Sequence, residues 1–165
     1  MTADNEREFS PPKAEWGPGP WQDEPDRKEW RHNGFPCLAV RSGHGNWCGY
    51  VGVPPGHPWH GKGYADVEGE AHGGLTYADA CAGHICHVPK PGEPDDVWWL
   101  GFDCNHAWDI APGLDARLRE LGIRTQEQDL AILALEGDWR RTYKELAFVE
   151  AEVEDLAEQA GKAAQ

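Results

Sequence analysis

The sequence has few basic residues and no long apolar run, and these two absences exclude broad classes of protein. Its 165 residues include 15 Lys or Arg against 29 Asp or Glu, which gives a net charge of −14. General binding of DNA or RNA and attachment to an anionic membrane surface both depend on clustered cations. No stretch approaches the roughly 18 consecutive apolar residues of a membrane-spanning helix. The sequence therefore predicts neither general nucleic-acid binding nor a membrane protein.

The five cysteines form no Cys-x-x-Cys pair, and their number is odd. The first residues contain no apolar stretch of the kind found in secretory signal peptides. We therefore expect thiols in a reducing cytoplasm and no structural disulfide. Methionine occurs once, whereas tryptophan occurs nine times. Large rings are thus expected to fill a small core, although each also offers a face on which a ligand can stack.

The length leaves room for one domain, but the hydrophobic fraction of 39% indicates that part of the chain is not core. Residues 1–30 are rich in Pro, Gly and charge and show no period of 2 or 3.6. They predict a flexible acidic tail whose removal leaves the melting temperature nearly unchanged. Alternatively, Trp16, Trp21 and Trp30 could pin parts of it to the domain or to a neighbouring subunit. Residues 31–165 are the expected domain, with a variable helical insert at about 113–138 and a C-terminal helix at about 140–160.

Alternating apolar residues predict an α+β fold with a mostly antiparallel sheet of about four to six strands. Strands are expected at 35–41, 47–53, 67–71, 83–89 and 97–103. Leu-rich spacing before Gly122 predicts a short helix over 114–121. The capping box Thr142-Tyr-Lys-Glu145 precedes an apolar stripe of period 3.6, which predicts an amphipathic helix that covers the sheet.

The densest stretch of apolar, acidic and metal-capable residues runs from Asp95 to Asp109. Its alternation places Trp99 and Asp103 on one strand face, with Gly101 between them leaving a gap that can admit a ligand or another backbone. Asp103 is expected to cap a short helical turn that Pro112 soon ends. The turn would carry Cys104, His106 and Asp109.

Three motifs together resemble a family of small proteins found in bacteriophages, prophages and bacteria. They are Cys48-Gly-Tyr-Val-Gly-Val-Pro-Pro-Gly-His-Pro58, His72-Gly-Gly-Leu-Thr-Tyr77 and Trp98-Trp-Leu-Gly-Phe-Asp-Cys-Asn-His106. The resemblance extends over about 47–156, apart from a variable middle, and continues in the helix after Thr142. It implies an often phage-encoded protein of the bacterial cytoplasm, and it carries no activity over to this chain.

The first functional hypothesis is an accessory protein that binds a small nucleotide-like ligand. Aromatic faces, glycine-rich loops and the lone cation Lys62 can hold a phosphate and a base without a positive net charge. In a phage setting, such a protein could sequester a host immune signal. The expected ligand-binding residues are Lys62, Tyr64, His72, Trp99, Asp103 and His106. We expect His72 and the turn from Asp103 to His106 to meet at one pocket, with the loop from His57 to Tyr64 as a wall.

The first alternative is a metal-dependent hydrolase. His72, Asp103 and His106 are residue types that ligate Zn or Mn, Asp109 can join them, and Glu68 or Glu70 would serve as base. Capping by Asp103 and packing by His106 explain the same spacing without a metal. A nucleophilic Cys104 beside His72 or His106 is a weaker version of this hypothesis.

The second alternative is a structural or interaction protein. The Trp-containing acidic tail and the terminal helix would then mediate assembly, including a homo-oligomer, although the apolar stripe is too short to predict a coiled coil. Metal analysis together with a ligand-binding screen separates the three hypotheses.

Overall fold

The computed structural model describes residues 9–125, 127–128 and 141–165. Within it the chain forms two compact units. The sheet unit comprises Arg27–Val40, Cys48–Asp103 and Ala147–Gln165. The loop unit comprises the described residues of Met1–Asp26, Arg41–Trp47 and Cys104–Leu146.

Five strands form one antiparallel sheet in the order β1-β2-β3-β5-β4, so β1 and β4 are its edges. The strands are β1 Arg27–His32, β2 Phe35–Arg41, β3 Trp47–Val53, β4 Tyr77–Ala80 and β5 Trp98–Asp103. The described helices are α1 Pro112–Glu120 and α2 Leu146–Ala163. The predicted α+β class, with an antiparallel sheet and a C-terminal helix packed on it, is confirmed.

The first face of the sheet packs against α2. A Cβ at Gly49 would lie 2.6 Å from both Val153 Cγ2 and a Phe102 ring carbon, so only glycine allows the helix this close to β3. The buried residues of α2 recur at helical spacing and are Val149, Val153, Leu156, Ala157 and Ala160. Burying such side chains contributes about 1.5–3 kcal/mol for each large aliphatic group.

The second face of the sheet carries its own core. Its buried cluster consists of Leu38, Val40, Tyr50, Val97 and Trp99. A Cβ at Gly101 would overlap the Tyr50 ring, which fills the space beside this glycine. The space at Gly101 is therefore filled by the protein itself: the prediction of a ligand there is wrong, whereas the alternative, close approach of another backbone, agrees with the Gly49 carbonyl oxygen 2.8 Å from that Cβ position.

The segment predicted as a flexible tail up to residue 30 contains regular structure. Residues 27–30 belong to β1, and two short 3₁₀ turns precede it at Lys13–Glu15 and Pro20–Gln22. Trp16 is only 6% exposed, and its Nε1 donates a hydrogen bond to the Pro11 carbonyl over 2.6 Å. Among residues 9–30, the prediction of an unstructured tail is therefore wrong.

Two predicted strands are absent. Residues 67–71 follow a 3₁₀ turn at Tyr64–Asp66 and pair with no strand, because the glycines there favour an irregular path. Residues 83–88 form no strand either, because a disulfide between Cys81 and Cys86 closes a tight loop. The expectation of no disulfide is thus wrong: the two Cα atoms lie 4.8 Å apart, within the range of a disulfide.

Helix boundaries also differ from the predictions. Residues 103–109 form no helix, only a single turn closed by the Asp109 N–H and the His106 carbonyl over 2.9 Å. Pro112 begins α1 rather than ending a helix, as suits its missing N–H. Gly122 follows α1 with a φ of +69°, as predicted for a C-terminal glycine. The later part of the predicted insert, 126–138, lies outside the described residues, apart from 127 and 128.

The C-terminal helix begins at Leu146, later than the predicted start at about 140. Thr142, expected to cap it, forms a β-bridge with Asp109 instead. In the described part of the chain, we find no helix that combines the length and apolarity needed to cross a membrane.

Candidate functional site

The proline-rich loop over 57–64 is fixed to α2 by His57. This ring is buried, and its Nε2 lies 2.8 Å from the Ala160 carbonyl oxygen, to which it donates. Its Nδ1 accepts the backbone N–H of Trp59 over 3.0 Å. Because both ring nitrogens are engaged in these bonds, His57 serves as a structural anchor of the loop.

The same loop is fixed at a second point near Lys62. The indole N–H of Trp98 donates to the Lys62 carbonyl over 3.0 Å, and the Lys62 amide donates to the Trp59 carbonyl over 3.2 Å. His60 adds a hydrogen bond from Nε2 to the Asp96 carbonyl over 2.8 Å. The loop therefore presents the Lys62 side chain from a constrained backbone.

A cleft of about 610 Å³, which we call the Lys62 cleft, lies between this loop and the end of α2. All of its lining residues belong to the sheet unit: Pro58, Trp59, Lys62, Asp66, Glu68, Gln159, Lys162 and Ala163. The Gln159 amide fastens the Glu68–Glu70 region to α2, since it accepts the Glu70 N–H over 2.8 Å and donates to the Glu70 carbonyl over 2.9 Å. The volume falls within the range of small-molecule sites, about 300–1,000 Å³.

The Lys62 cleft combines both signs of charge. Lys62 and Lys162 provide two ammonium groups, and Asp66 and Glu68 provide two carboxylates. Ammonium groups bind phosphate or carboxylate oxygens, whereas carboxylates accept hydrogen bonds from amino groups. The arrangement thus suits a small molecule that carries an anionic group and hydrogen-bond donors.

The other predicted ligand-binding residues of the sheet unit lie elsewhere. Tyr64, the last residue of the loop, is 48% exposed and is not among the residues that line the Lys62 cleft. The backbone N–H of His72 donates to Glu152 of α2 over 2.8 Å, and its ring contacts Phe148 edge to face. Asp103 ends β5 and accepts a hydrogen bond from the Thr76 hydroxyl over 3.1 Å, so it does not cap a helix.

The predicted role of Trp99 as a ligand-binding residue is wrong. Its side chain is fully buried in the second core, where the His87 ring meets it edge to face at 5.4 Å. A ligand cannot stack on this ring without displacing the core. Trp99 is therefore a residue of the hydrophobic core and not of the candidate site.

The loop unit contains an Asp–His pair built from His106 and Asp109. Asp109 Oδ2 accepts hydrogen bonds from His106 Nδ1 over 2.8 Å and from the His106 backbone N–H over 3.1 Å. The Asp109 carboxylate is fully buried, and Lys144 Nζ lies 3.1 Å from its Oδ1. The His106 ring stacks on Trp108 with centroids 4.9 Å apart. The carboxylate thereby fixes the orientation of the His106 ring.

Two further parts of the predicted site stay predictions. His72 belongs to the sheet unit and His106 to the loop unit, and a pocket shared by the two is not tested by the geometry within either unit. The same holds for the metal set of His72, Asp103 and His106. Cys104 is fully buried, and burial in this way argues against a reactive thiol.

A polar network around Arg41 in the loop unit escaped the sequence interpretation. The Arg41 guanidinium binds Glu24 Oε2 over 2.9 Å and Asp26 Oδ1 over 2.8 Å, and it lies over the Trp47 ring. Tyr143 donates to Glu24 as well. An acidic pair inside a proline-rich stretch and one arginine at a strand end are weak signals, because loop composition alone does not distinguish a buried carboxylate from a solvated one.

No family model matches the chain, and comparisons with the curated proteins and with the solved structures give no significant match. The fold and the site geometry together define an α+β protein with a mixed-charge cleft in the sheet unit and an oriented histidine in the loop unit.

Proposed function

We propose that the protein binds a small nucleotide-like molecule in the Lys62 cleft. The observation that carries this proposal is the convergence of two lysines and two carboxylates on one cleft of about 610 Å³. The His57 and Trp98 hydrogen bonds hold the lysine-bearing loop in place before any ligand arrives. A wall that is already ordered loses little conformational entropy on binding, which favours affinity.

The charge pattern favours a nucleotide over a simple anion. Lys62 and Lys162 would bind phosphate oxygens, and Asp66 with Glu68 would accept hydrogen bonds from a base or sugar. An anion without hydrogen-bond donors would leave the two carboxylates without a role.

The biological part of the proposal rests on the sequence resemblance. A protein that binds a nucleotide signal without converting it would act by sequestration. In a bacterial cell infected by a phage, the candidate ligand is then a nucleotide signal of host immunity. This role predicts that the bound molecule is recovered unchanged.

Calorimetric titration of the full chain tests the proposal with nucleoside monophosphates, cyclic dinucleotides, an unphosphorylated nucleoside and inorganic phosphate. We expect at least one nucleotide to bind, and Lys62→Ala and Lys162→Ala each to weaken that binding about tenfold, since each removes a charge-assisted contact. Lys90→Ala, an exposed lysine outside the cleft, is the matched control. Chromatography of the ligand after incubation checks that it is unchanged.

Unchanged affinity in both lysine variants, or an equal loss in the control, would contradict binding in this cleft. Conversion of the nucleotide during incubation would contradict sequestration and favour an enzyme.

A second candidate function, a metal-dependent hydrolase, is favoured by the His106–Asp109 pair. A carboxylate that holds Nδ1 of a histidine is the usual support of a metal-ligating or proton-transferring imidazole. Elemental analysis for Zn and Mn, with hydrolysis of an activated phosphodiester as the assay, tests this candidate. We expect His106→Ala to lose both metal and activity. Metal-free, inactive protein that also binds no nucleotide would favour the interaction-protein hypothesis.

A further inference from the structure

The connection between β4 and β5 lies on the second face of the sheet. We call residues 81–96 the strap. Ile85 packs against the cluster formed by Leu38, Val40, Tyr50, Val97 and Trp99. Two residues further along, the His87 ring meets the ring of Trp99. The strap therefore covers the second core without contributing a strand to the sheet.

Polar contacts hold the strap to the opposite edge of the sheet. The strap leaves the edge strand β4, and Arg27 of the other edge strand, β1, donates hydrogen bonds to the carbonyls of His84 and Cys86. Arg31, also in β1, forms an ion pair with Glu93 over 2.8 Å. The strap is thus anchored at both edges of the five-stranded sheet.

The disulfide between Cys81 and Cys86 ties the start of the strap back to the residue that directly follows β4. It closes the loop in which the backbone groups of Ala82 and Ile85 exchange hydrogen bonds of 3.2 and 3.0 Å. Apart from the contacts of Ile85 and His87 with the second core, the remaining anchors are ion pairs and hydrogen bonds at the surface, which contribute little individually in water. A segment held by so few buried contacts opens readily unless a covalent link restrains it.

The two sulfur-bearing residues differ in accessibility. Cys81 is exposed, whereas Cys86 is half-buried next to His87. A thiolate from solution therefore reaches the Cys81 sulfur first. Within the same unit, burial raises the pKa of the Cys37 thiol to about 12, which keeps it protonated and a poor competitor for this exchange.

We infer that the Cys81–Cys86 disulfide is a redox latch: it restrains the loop that carries Ile85 and the two carbonyls bound by Arg27, and it thereby keeps the start of the strap on the second face of the sheet. A small dithiol would open it. One thiolate of the dithiol attacks Cys81 Sγ and forms a mixed disulfide, and the Cys86 sulfur leaves as a thiolate and takes up a proton. The second thiol of the reductant then releases Cys81 and closes the reductant into its own disulfide, so two electrons pass to the protein.

Opening of the latch changes a cleft that the strap borders. This cleft of about 350 Å³ is lined on one side by β1 and β2 and on the other by His87, Val88, Lys90 and Glu93 of the strap. Release of the strap removes that second wall and uncovers the hydrophobic cluster beneath it. The redox state thereby decides whether this face of the sheet is open or closed.

Hydrogen exchange measured by mass spectrometry on the full chain, with and without dithiothreitol, tests the latch. We expect peptides covering 81–96 to exchange about tenfold faster after reduction, whereas peptides of the β2–β3 hairpin stay unchanged. The double variant Cys81→Ser/Cys86→Ser should exchange at the fast rate in both conditions. Cys48→Ser, which leaves the disulfide intact, is the matched control and should respond to dithiothreitol as the native chain does.

Differential alkylation of the air-oxidised protein supplies an independent measurement. We expect Cys81 and Cys86 to resist alkylation until reductant is added. Alkylation of both before reduction, or equal strap exchange in oxidised and reduced native protein, would overturn the inference. Neither outcome requires that the double variant fold.

Discussion

Gly101 lies where the Tyr50 ring crosses β5. A Cβ at this position would overlap that ring and would lie 2.8 Å from the Gly49 carbonyl oxygen. The alternation of the strand indicated correctly that a group approaches Gly101 closely. It could not reveal that the group comes from β3, because strand order is set by tertiary pairing rather than by local sequence.

We expect Gly101→Ala to lower the free energy of unfolding by about 1–3 kcal/mol, because the methyl group forces Tyr50 or the neighbouring backbone to move. Gly63→Ala is the matched control, since its Cβ would meet only Asp66 at 3.4 Å, and its effect should stay within about 0.5 kcal/mol. Urea denaturation of the three proteins measures both values. Equal free energies of unfolding for Gly101→Ala and the native chain would show that the Tyr50 ring tolerates a methyl group at position 101.

Glu24 accepts hydrogen bonds from four residues of the loop unit. Burial acts to raise the pKa of its carboxyl group, but hydrogen bonds from Tyr143, the Leu146 amide, Arg41 and Trp47 outweigh burial and lower it below 4.5. The Leu146 N–H is the first of α2, and Glu24 accepts it over 2.9 Å. A residue in a proline-rich loop thus caps a helix that begins more than a hundred positions later in the chain.

The lowered pKa of Glu24 predicts a pH dependence with a definite sign. Because the folded pKa is lower than the unfolded value, the stabilisation is fully present above about pH 4.5 and is lost as pH falls through the folded pKa. We expect Glu24→Gln to lose about 1.5–3 kcal/mol at neutral pH. The difference from the native chain should shrink below about pH 4.5, as urea denaturation across pH would show. A constant difference across that range would contradict an ionised Glu24 in the folded protein.

Helix α2 and three of the five strands follow directly from sequence periodicity. Sustained alternation of apolar residues marks strands β2, β3 and β5. A sustained period of 3.6 marks α2. β1 was missed because its residues are mostly charged. The strand is recognisable only by its alternating burial, in which Lys28, Trp30 and His32 are half-buried and the residues between them are exposed. Edge strands of this kind carry little hydrophobic signal.

The apolar stripe of α2 allows a prediction of how much single substitutions destabilise the protein. Leu156 is fully buried in the packed helix, and we expect Leu156→Ala to cost about 2–5 kcal/mol through lost burial and a residual cavity. Glu158→Ala, two positions along on the exposed side, removes only a surface pair with His32 and should cost less than about 1 kcal/mol. Thermal melts monitored by circular dichroism measure the contrast. Similar losses in both variants would mean that the helix is not held by its apolar stripe.

At the scale of the molecule, composition predicted the α+β class but misjudged the N-terminal segment. Pro, Gly and charge are typical of unfolded tails, yet in residues 9–26 the same residue types form turns that position Glu24 and Asp26 against Arg41. The candidate site was only partly predictable, because local sequence does not reveal which distant residues meet in the fold. Lys62 stood out as a lone cation, whereas Lys162 enters the same cleft from the far end of the chain.

Removal of residues 1–26 is therefore expected to destabilise the protein, contrary to what its composition suggests. The Arg41 side chain is 2% exposed, and truncation would leave this charge without both carboxylates. We expect the melting temperature to fall by more than about 5 °C. The full-length variant Glu24→Gln/Asp26→Asn should reproduce most of the loss. An unchanged melting temperature for the truncated chain would restore the view of this segment as a passive tail.

The two edges of the sheet bear on how the protein behaves at high concentration. β1 presents Arg27, Lys28, Glu29, Arg31 and His32 along its six residues, and β4 is only four residues long. Unpaired strand edges template the growth of intermolecular sheets, and charged or very short edges resist it because docking a second strand would bury charge or gain few hydrogen bonds. The charged edge β1 and the short edge β4 thereby limit the addition of a strand from a neighbouring molecule to this sheet, and with it the formation of fibrils.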